Sequence, residues 1–337
     1  VFTSSYSNYR YASLYRRQDT LAFQESHVSF IDHCGVVFQQ MLYDNMRVAV
    51  GKFVGAHEKE PTRALLQLRG HYQFTHRFCN FYRGNEKGHV ERSVEYIRRK
   101  AFGLKNSFAT LEVAEEWLLS VLERLNRTAQ QLTGKTAAEL FDEEKNLLPT
   151  APEKMHCSEL TIAKVDKYST FSYKSNRYSV PDHLVGRHVE VQASSHALRI
   201  YYEAQLVAEH PRHYGAREWI ITIEHYLETF RRKPGALAGS TALAGRSLLK
   251  ELYREYFLDR AREFIELLSY CHEHRISDEE LSEAVDTLQT TGVSAITGEH
   301  LMALLGNHSK PAVAIPVDST TTQMALLQLE QQAALFN

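Results

Sequence analysis

The 337-residue chain is poor in cysteine, with four, and in proline, with eight, and neither sign of charge is in excess. Cys34, Cys79, Cys157 and Cys271 stand singly, with no C-x-x-C pair, so no disulfide framework is encoded and a reducing cytoplasm fits best. No apolar run approaches the roughly 20 residues of a membrane helix, which excludes a helical membrane protein. Lys and Arg number 39 against 41 Asp and Glu, a formal net charge of −2. That excludes a globally basic binder of polyanions and permits a local basic surface. The opening Val1-Phe2-Thr3-Ser4-Ser5 has no basic n-region, no apolar h-region and no starting Met, so it reads as a fragment whose front end is missing. What the chain does have is ordinary globular composition, 43% hydrophobic and 24% charged, over a length suited to two or three units. Histidine is abundant at 17, but His71/His76, His210/His213 and His272/His274 lack H-E-x-x-H spacing and paired cysteines. Surface or structural roles are expected of them, and a zinc hydrolase would need tightly bound stoichiometric metal.

Residues 1–105 alternate strand and helix signals. Val1–Tyr6 and Tyr9–Arg16, split by Ser7-Asn8, read as a hairpin. Asp19-Thr20 can cap a helix bearing Phe23, His27, Phe30, Ile31 and Cys34, with Gly35 as its stop. Val36–Tyr43 is short and apolar enough for a buried strand, ending at Asp44-Asn45. Pro61 opens a short helix that Gly70 closes, and Tyr72–Phe78 is a further strand. Gly84-Asn85 turns into a helix striped by Val90, Val94, Ile97 and Ala101. The order predicts an α/β sandwich. Residues 106–155 are helical and connecting, with Thr110 as a cap and a capping box at Thr136-Ala137-Ala138-Glu139. Residues 156–214 fall into short alternating runs, which predicts a small antiparallel β-barrel. A helical region follows over 215–306, then a flexible tail with a short helix over 307–337.

Two acidic residues stand out by position. Asp44 follows a buried strand, where open α/β sheets place their ligands. Glu91 lies in the first turns of the helix after the last strand of this region. Paired carboxylates there can hold two divalent cations about 3.5–4 Å apart for in-line phosphodiester displacement, and oxygen-only ligands favour Mg²⁺ or Mn²⁺. The plainer readings stay open. Asp-Asn after a strand is common turn chemistry, and Glu91, Glu95, Arg98 and Arg99 also make a solvated helix face. Lys87, His89, Arg92, Arg98, Arg99, Lys100 and Lys105 lie on or just after that helix and would suit a polyanion.

Leu42-Tyr43-Asp44-Asn45-Met46-Arg47-Val48-Ala49-Val50 and Tyr82-Arg83-Gly84-Asn85-Glu86-Lys87-Gly88-His89-Val90-Glu91-Arg92-Ser93-Val94 resemble motifs of the IstA family of bacterial insertion-sequence transposases. Arg177-Tyr178-Ser179-Val180-Pro181, His225-Tyr226-Leu227 and Lys233-Pro234-Gly235-Ala236-Leu237 match its later elements, in family order up to about residue 240. The resemblance implies an α/β ribonuclease H-like core lacking its first strand, followed by the small barrel and a helical C-terminal region. It implies an Asp, Asp, Glu triad in which Asp44 is the second aspartate and Glu91 the glutamate. No residue here fills the first place, and the family's upstream helix-turn-helix is missing too. The implied reaction is metal-dependent: water frees a 3′-hydroxyl at the element's end, and that hydroxyl attacks target DNA. Implied partners are DNA, further copies of the chain on DNA, and the ATPase IstB; Arg177, Arg187, His188 and Arg199 are DNA-contact candidates in the barrel. A non-catalytic DNA-binding scaffold is the competing reading.

Overall fold

The computed structural model describes residues 1–54, 58–79, 84–291 and 295–308. The expected linker and tail helix beyond residue 308 lie outside the described residues. The chain divides into two units, the first of residues 1–165, 171–178 and 186–219, the second of 166–170, 179–185 and 220–337. No helix among the described residues is long and apolar enough to cross a membrane.

The first unit opens with β1 (Phe2–Thr3) and β2 (Arg10–Tyr11), an antiparallel pair turned by Asn8 at φ +58°. Helix α1 (Thr20–Cys34) begins where the Asp19 carboxylate accepts the Ala22 N–H at 2.9 Å. It ends at Gly35, whose φ of +70° lets its N–H return to the Ile31 carbonyl. Strand β3 (Gln40–Tyr43) follows, then the hairpin β4 (Val50–Val54) and β5 (Glu58–Pro61). Helix α2 (Arg63–Tyr72) is capped by Thr62 and leads into β6 (Thr75–Phe78), parallel to β3. Helices α3 (Gly84–Phe102), α4 (Leu111–Asn126) and α5 (Ala137–Lys145) complete the α/β part.

The alternation from Tyr11, the last residue of β2, to Ala12 just after it shows how the helices are placed. Tyr11 points into a core with Phe23, Phe30, Ile31, Leu65 and Leu68, whereas Ala12 joins Ile97, Ala101, Leu118 and Leu122. Successive side chains leave opposite faces of a strand, so α1 and α2 cover one face and α3 and α4 the other. The edge of β2 is satisfied by a side chain: Asn126 accepts from the Arg10 N–H at 3.0 Å and donates to its carbonyl at 2.8 Å. The segment expected to be a strap thus supplies Leu118, Leu122, Asn126 and Phe141 to this unit.

Two local expectations differ in detail. Helix α2 runs through Gly70 to Tyr72, whose ring is buried in the core, and Gln73 at φ +58° makes the stop. Only the last half of Val36–Tyr43 is a ladder strand; Val36 bridges Thr150 and the Val37 N–H donates to the Pro149 carbonyl.

The β-rich segment contains β7 (Glu159–Lys164), β8 (Thr170–Tyr173), β9 (Asn176–Ser179), β10 (His188–Ala193), β11 (Ala197–Tyr202), β12 (Gln205–Pro211) and β13 (Trp219–Ile220). The tight turns at Lys174-Ser175 and Glu203-Ala204 use two residues of positive φ each, as a right-twisted hairpin requires. Where a barrel was expected, the described residues form a four-stranded sheet, β12-β11-β10-β7, and a three-stranded one, β13-β9-β8. No ladder joins the two, since β7 and β12 are left as edges of the larger sheet. Arg212 and the Ser194-Ser195 turn fasten the larger sheet to α1. The buried Arg212 guanidinium donates to Asp19 Oδ2 and to the Ser194 carbonyl, each at 2.9 Å, while Glu25 accepts from the Ser195 N–H at 2.7 Å.

The second unit is helical: α6 (Leu227–Arg232), α7 (Thr241–Ala244), α8 (Ser247–Tyr256), α9 (Ala261–His274), α10 (Asp278–Thr290) and α11 (Gly298–His308). Phe257, Phe264, Leu267 and Leu301 are fully buried at its centre.

Candidate active site at the strand ends

The carboxyl ends of β3 and β6 lie side by side. Tyr43 pairs with Phe78, and the Cys79 N–H donates to the Tyr43 carbonyl at 2.9 Å. Asp44 leaves the sheet there, half-buried. Its Oδ1 accepts the Asn45 N–H at 2.7 Å and its carbonyl accepts the Met46 N–H at 2.8 Å. The turn chemistry read from Asp-Asn is therefore present, and it uses one carboxylate oxygen only. No hydrogen bond or ion pair among the described residues reaches Asp44 Oδ2.

Lys59, which carries no sequence signal of its own, closes this end of the sheet. Its Nζ donates to Asn45 Oδ1 and to the Cys79 carbonyl, both at 2.6 Å, tying the residue after β3 to the residue after β6. Residues 14 and 20 positions from Lys59 meet here because the β4–β5 hairpin folds back. That pairing leaves no periodic mark in the sequence.

Behind Asp44 the support is buried. The His27 Nδ1–H donates to the Phe23 carbonyl at 2.6 Å, and its Nε2 accepts from the Tyr43 hydroxyl at 2.9 Å. Burial lowers the imidazole to about 4, so His27 stays neutral, and burial raises the Tyr43 phenol far above its usual value. A histidine depressed below its unfolded value of about 6.5 stabilises the fold fully only above that pH. Between pH ~6.5 and ~4 the unfolded chain binds the extra proton, and the native state should lose about 3 kcal/mol. Urea unfolding at a series of pH values checks this; His27→Gln should flatten that part of the profile.

Glu91 lies within α3, whose first residue comes five positions after Cys79 in the chain. The side chains of Glu91, Lys87 and His89 lie outside the described residues. Further along, Ile97 and Ala101 are buried against α4, which turns Arg92, Arg98 and Arg99 outward. Arg177 on β9 stacks its guanidinium 4.8 Å from the Trp219 ring centre, whereas Arg187 is exposed in the turn before β10. Arg199 pairs with Glu209 at 3.3 Å across β11 and β12. Among the described residues no three His, Cys, Asp or Glu side chains lie together as a metal-ligand set. The Asp44 carboxylate is a hard oxygen donor of the kind that suits Mg²⁺ or Mn²⁺ better than zinc, whereas Asn45 Oδ1 and the Cys79 carbonyl are already taken by the Lys59 ammonium.

Comparison with known proteins adds to this geometry. Residues 149–222 match a protein family described as Mu transposase, C-terminal domain. The matched region runs from just before β7 to just after β13. A protein named transposase from Aminobacter aminovorans is 28% identical over 273 residues, 78% of this chain and 53% of its own length. A transposase for insertion sequences IS1326/IS1353 from Pseudomonas aeruginosa is 25% identical over 317 residues, 88% of this chain and 61% of its own. A transposase for insertion sequence element IS21, also from Pseudomonas aeruginosa, is 29% identical over 220 residues, 62% of this chain and 54% of its own. The chain thus spans between half and two thirds of the length of these transposases.

The later motifs have a physical basis. Tyr178 and Val180 are fully buried, and the Tyr178 hydroxyl accepts from the His213 N–H at 3.1 Å. Between them, Ser179 Oγ accepts from the Thr222 N–H at 2.9 Å and bonds His225 Nδ1 at 2.8 Å. The Asp182 carboxylate accepts the Thr229 N–H at 2.7 Å. Ser179 of Tyr-Ser-Val-Pro and His225 of His-Tyr-Leu are thus bonded to each other within the second unit, a part-buried contact that gives both motifs a structural role.

Proposed function

We propose that the chain is part of an IstA-type insertion-sequence transposase, with a ribonuclease H-like core that joins a mobile element's 3′ ends to target DNA. The observation that carries this reading is Asp44, with one carboxylate oxygen uncommitted among the described residues, at the carboxyl end of a parallel strand pair in a chain whose named relatives are transposases. Asp44 and Glu91 would hold Mg²⁺ or Mn²⁺ in a two-metal arrangement. A divalent cation bound there supplies charge stabilisation to the attacking and leaving oxygens of an in-line displacement. The chain's own part is positioning. The Asn45 turn orients the Asp44 carboxylate, Lys59 fixes that turn against Cys79, and neutral His27 supports Tyr43 from beneath. Arg92, Arg98 and Arg99 on α3 would meet backbone phosphates, joined by Arg177 and Arg187 from the β-rich segment.

The same reading assigns DNA as the partner, a cytoplasmic setting, assembly of several copies on DNA, and an IstB-type ATPase as a further partner. A non-catalytic scaffold would use the same basic surface with the acidic pair idle. In a chain given an N-terminal extension that carries the family's first aspartate, strand transfer with Glu91 retained and with Glu91→Gln separates the two. Equal yields would leave only the scaffold.

A further inference from the structure

Strand β7 ends the four-stranded sheet, and among the described residues no strand pairs with its outer edge. The direction of its backbone groups can be read from its neighbour. The Val165 N–H donates to the Arg187 carbonyl at 2.9 Å, and the Val165 carbonyl accepts from the Gly186 N–H at 3.1 Å. Hydrogen bonding alternates along an antiparallel strand, so Ala163 and Thr161 also face β10. Leu160, Ile162 and Lys164 then direct their N–H and C=O groups outward. Leu160 and Ile162 share one face and are 74% and 72% exposed. Edge strands are ordinarily blunted by charge, proline or a bulge. Strand β7 has no proline, an unbroken register with β10, and charges only at its two ends, Glu159 and Lys164. Glu159 is already held by Lys174 at 2.8 Å.

We propose that this edge pairs antiparallel with β7 of a second copy, about a two-fold axis at Thr161. An antiparallel partner must oppose residues of like parity, or the two sheets would turn their buried faces to opposite sides. With the axis at Thr161, Leu160 lies opposite the partner's Ile162, and Ile162 opposite the partner's Leu160. Both pairs fall at the outward hydrogen-bonding positions, so each free N–H and C=O meets its complement as the aliphatic side chains meet each other. Moving the axis to Ile162 would set Leu160 against the partner's Lys164. Of these two registers, only the axis at Thr161 gives both Leu160 and Ile162 an aliphatic partner. Two strand edges and four aliphatic side chains cover less than the roughly 1,200 Å² of a stable interface. Pairing is therefore weak in free solution and strengthened wherever two copies are tethered to one polymer. This inference does not rest on the catalytic reading.

The test is sedimentation of the 337-residue chain together with cysteine cross-linking. A reversible dimer is expected with a dissociation constant on the order of 100 µM. Ile162→Lys, at an exposed site where folding is spared, should weaken it at least about tenfold. Mild oxidation should link Thr161→Cys to itself, leave Leu160→Cys alone monomeric, and link a mixture of Leu160→Cys with Ile162→Cys. The proposal is overturned if no dimer forms at about 500 µM, well above that constant, or if Ile162→Lys leaves the dimer unchanged. It is equally overturned if Thr161→Cys cross-links no faster than the parent chain. Concentration-independent protection of the Leu160 and Ile162 amides in hydrogen exchange would also overturn it, since another segment of the same chain would then cover the edge.

Discussion

Asp44→Asn should leave the fold intact and lower metal-dependent strand transfer at least about a thousandfold, wherever native protein joins ends. The substitution keeps the turn, because an asparagine Oδ1 accepts the Asn45 N–H as the carboxylate does. What it removes is the negative charge, and a neutral amide is a poor ligand for a hard divalent ion. A loss of several kcal/mol of charge stabilisation corresponds to three or more decades in rate. Thermal unfolding should move by no more than about 1 kcal/mol, the scale of a partly exposed polar change. Loss of activity with unchanged unfolding and unchanged DNA binding is the expected combination. Loss of all three would make Asp44 a structural residue.

Asp19→Ala should be the most destabilising of the polar substitutions considered, at about 3–5 kcal/mol. One oxygen of Asp19 caps α1 through the Ala22 N–H, and the other pairs at 2.9 Å with the Arg212 guanidinium, whose side chain is only 3% exposed. Losing the cap alone costs about 1 kcal/mol. The larger part comes from Arg212, left charged and buried between the Tyr214 and Tyr173 rings, its one remaining hydrogen-bond acceptor among the described residues being the Ser194 carbonyl. The double variant Asp19→Ala/Arg212→Met should therefore be more stable than Asp19→Ala alone, although it carries one more substitution. Urea unfolding of the four proteins of this cycle measures the coupling. Strictly additive losses would show that the pair is solvated rather than buried.

Much of the first unit can be read from local chemistry. Asp19, Thr110 and the Thr136–Glu139 box mark helix starts through side chains that satisfy backbone groups within three residues, and Gly35 marks a helix end through its own N–H. Such signals survive in sequence because their partners are near. Leu160 and Ile162 show the limit of periodicity, since alternation locates a strand without saying which of its faces is buried. Lys59, Asn126 and Arg212 were not legible for a different reason. Each acts on atoms 14 to 193 positions away, and only the completed fold brings those atoms into reach. The position of Asp44 followed from a strand followed by Asp-Asn. The clamp that orients it did not.

The central claim is that Asp44 and Glu91 share a divalent cation site at the carboxyl ends of β3 and β6. The most direct measurement is crystallography of the chain soaked in Mn²⁺, read in anomalous difference density. A peak is expected within about 2.5 Å of carboxylate oxygens from both residues, lost in Asp44→Asn. Carboxylates held too far apart to share an ion cluster, with no Mn²⁺ peak at Asp44 in a crystal that binds Mn²⁺ elsewhere, would contradict it.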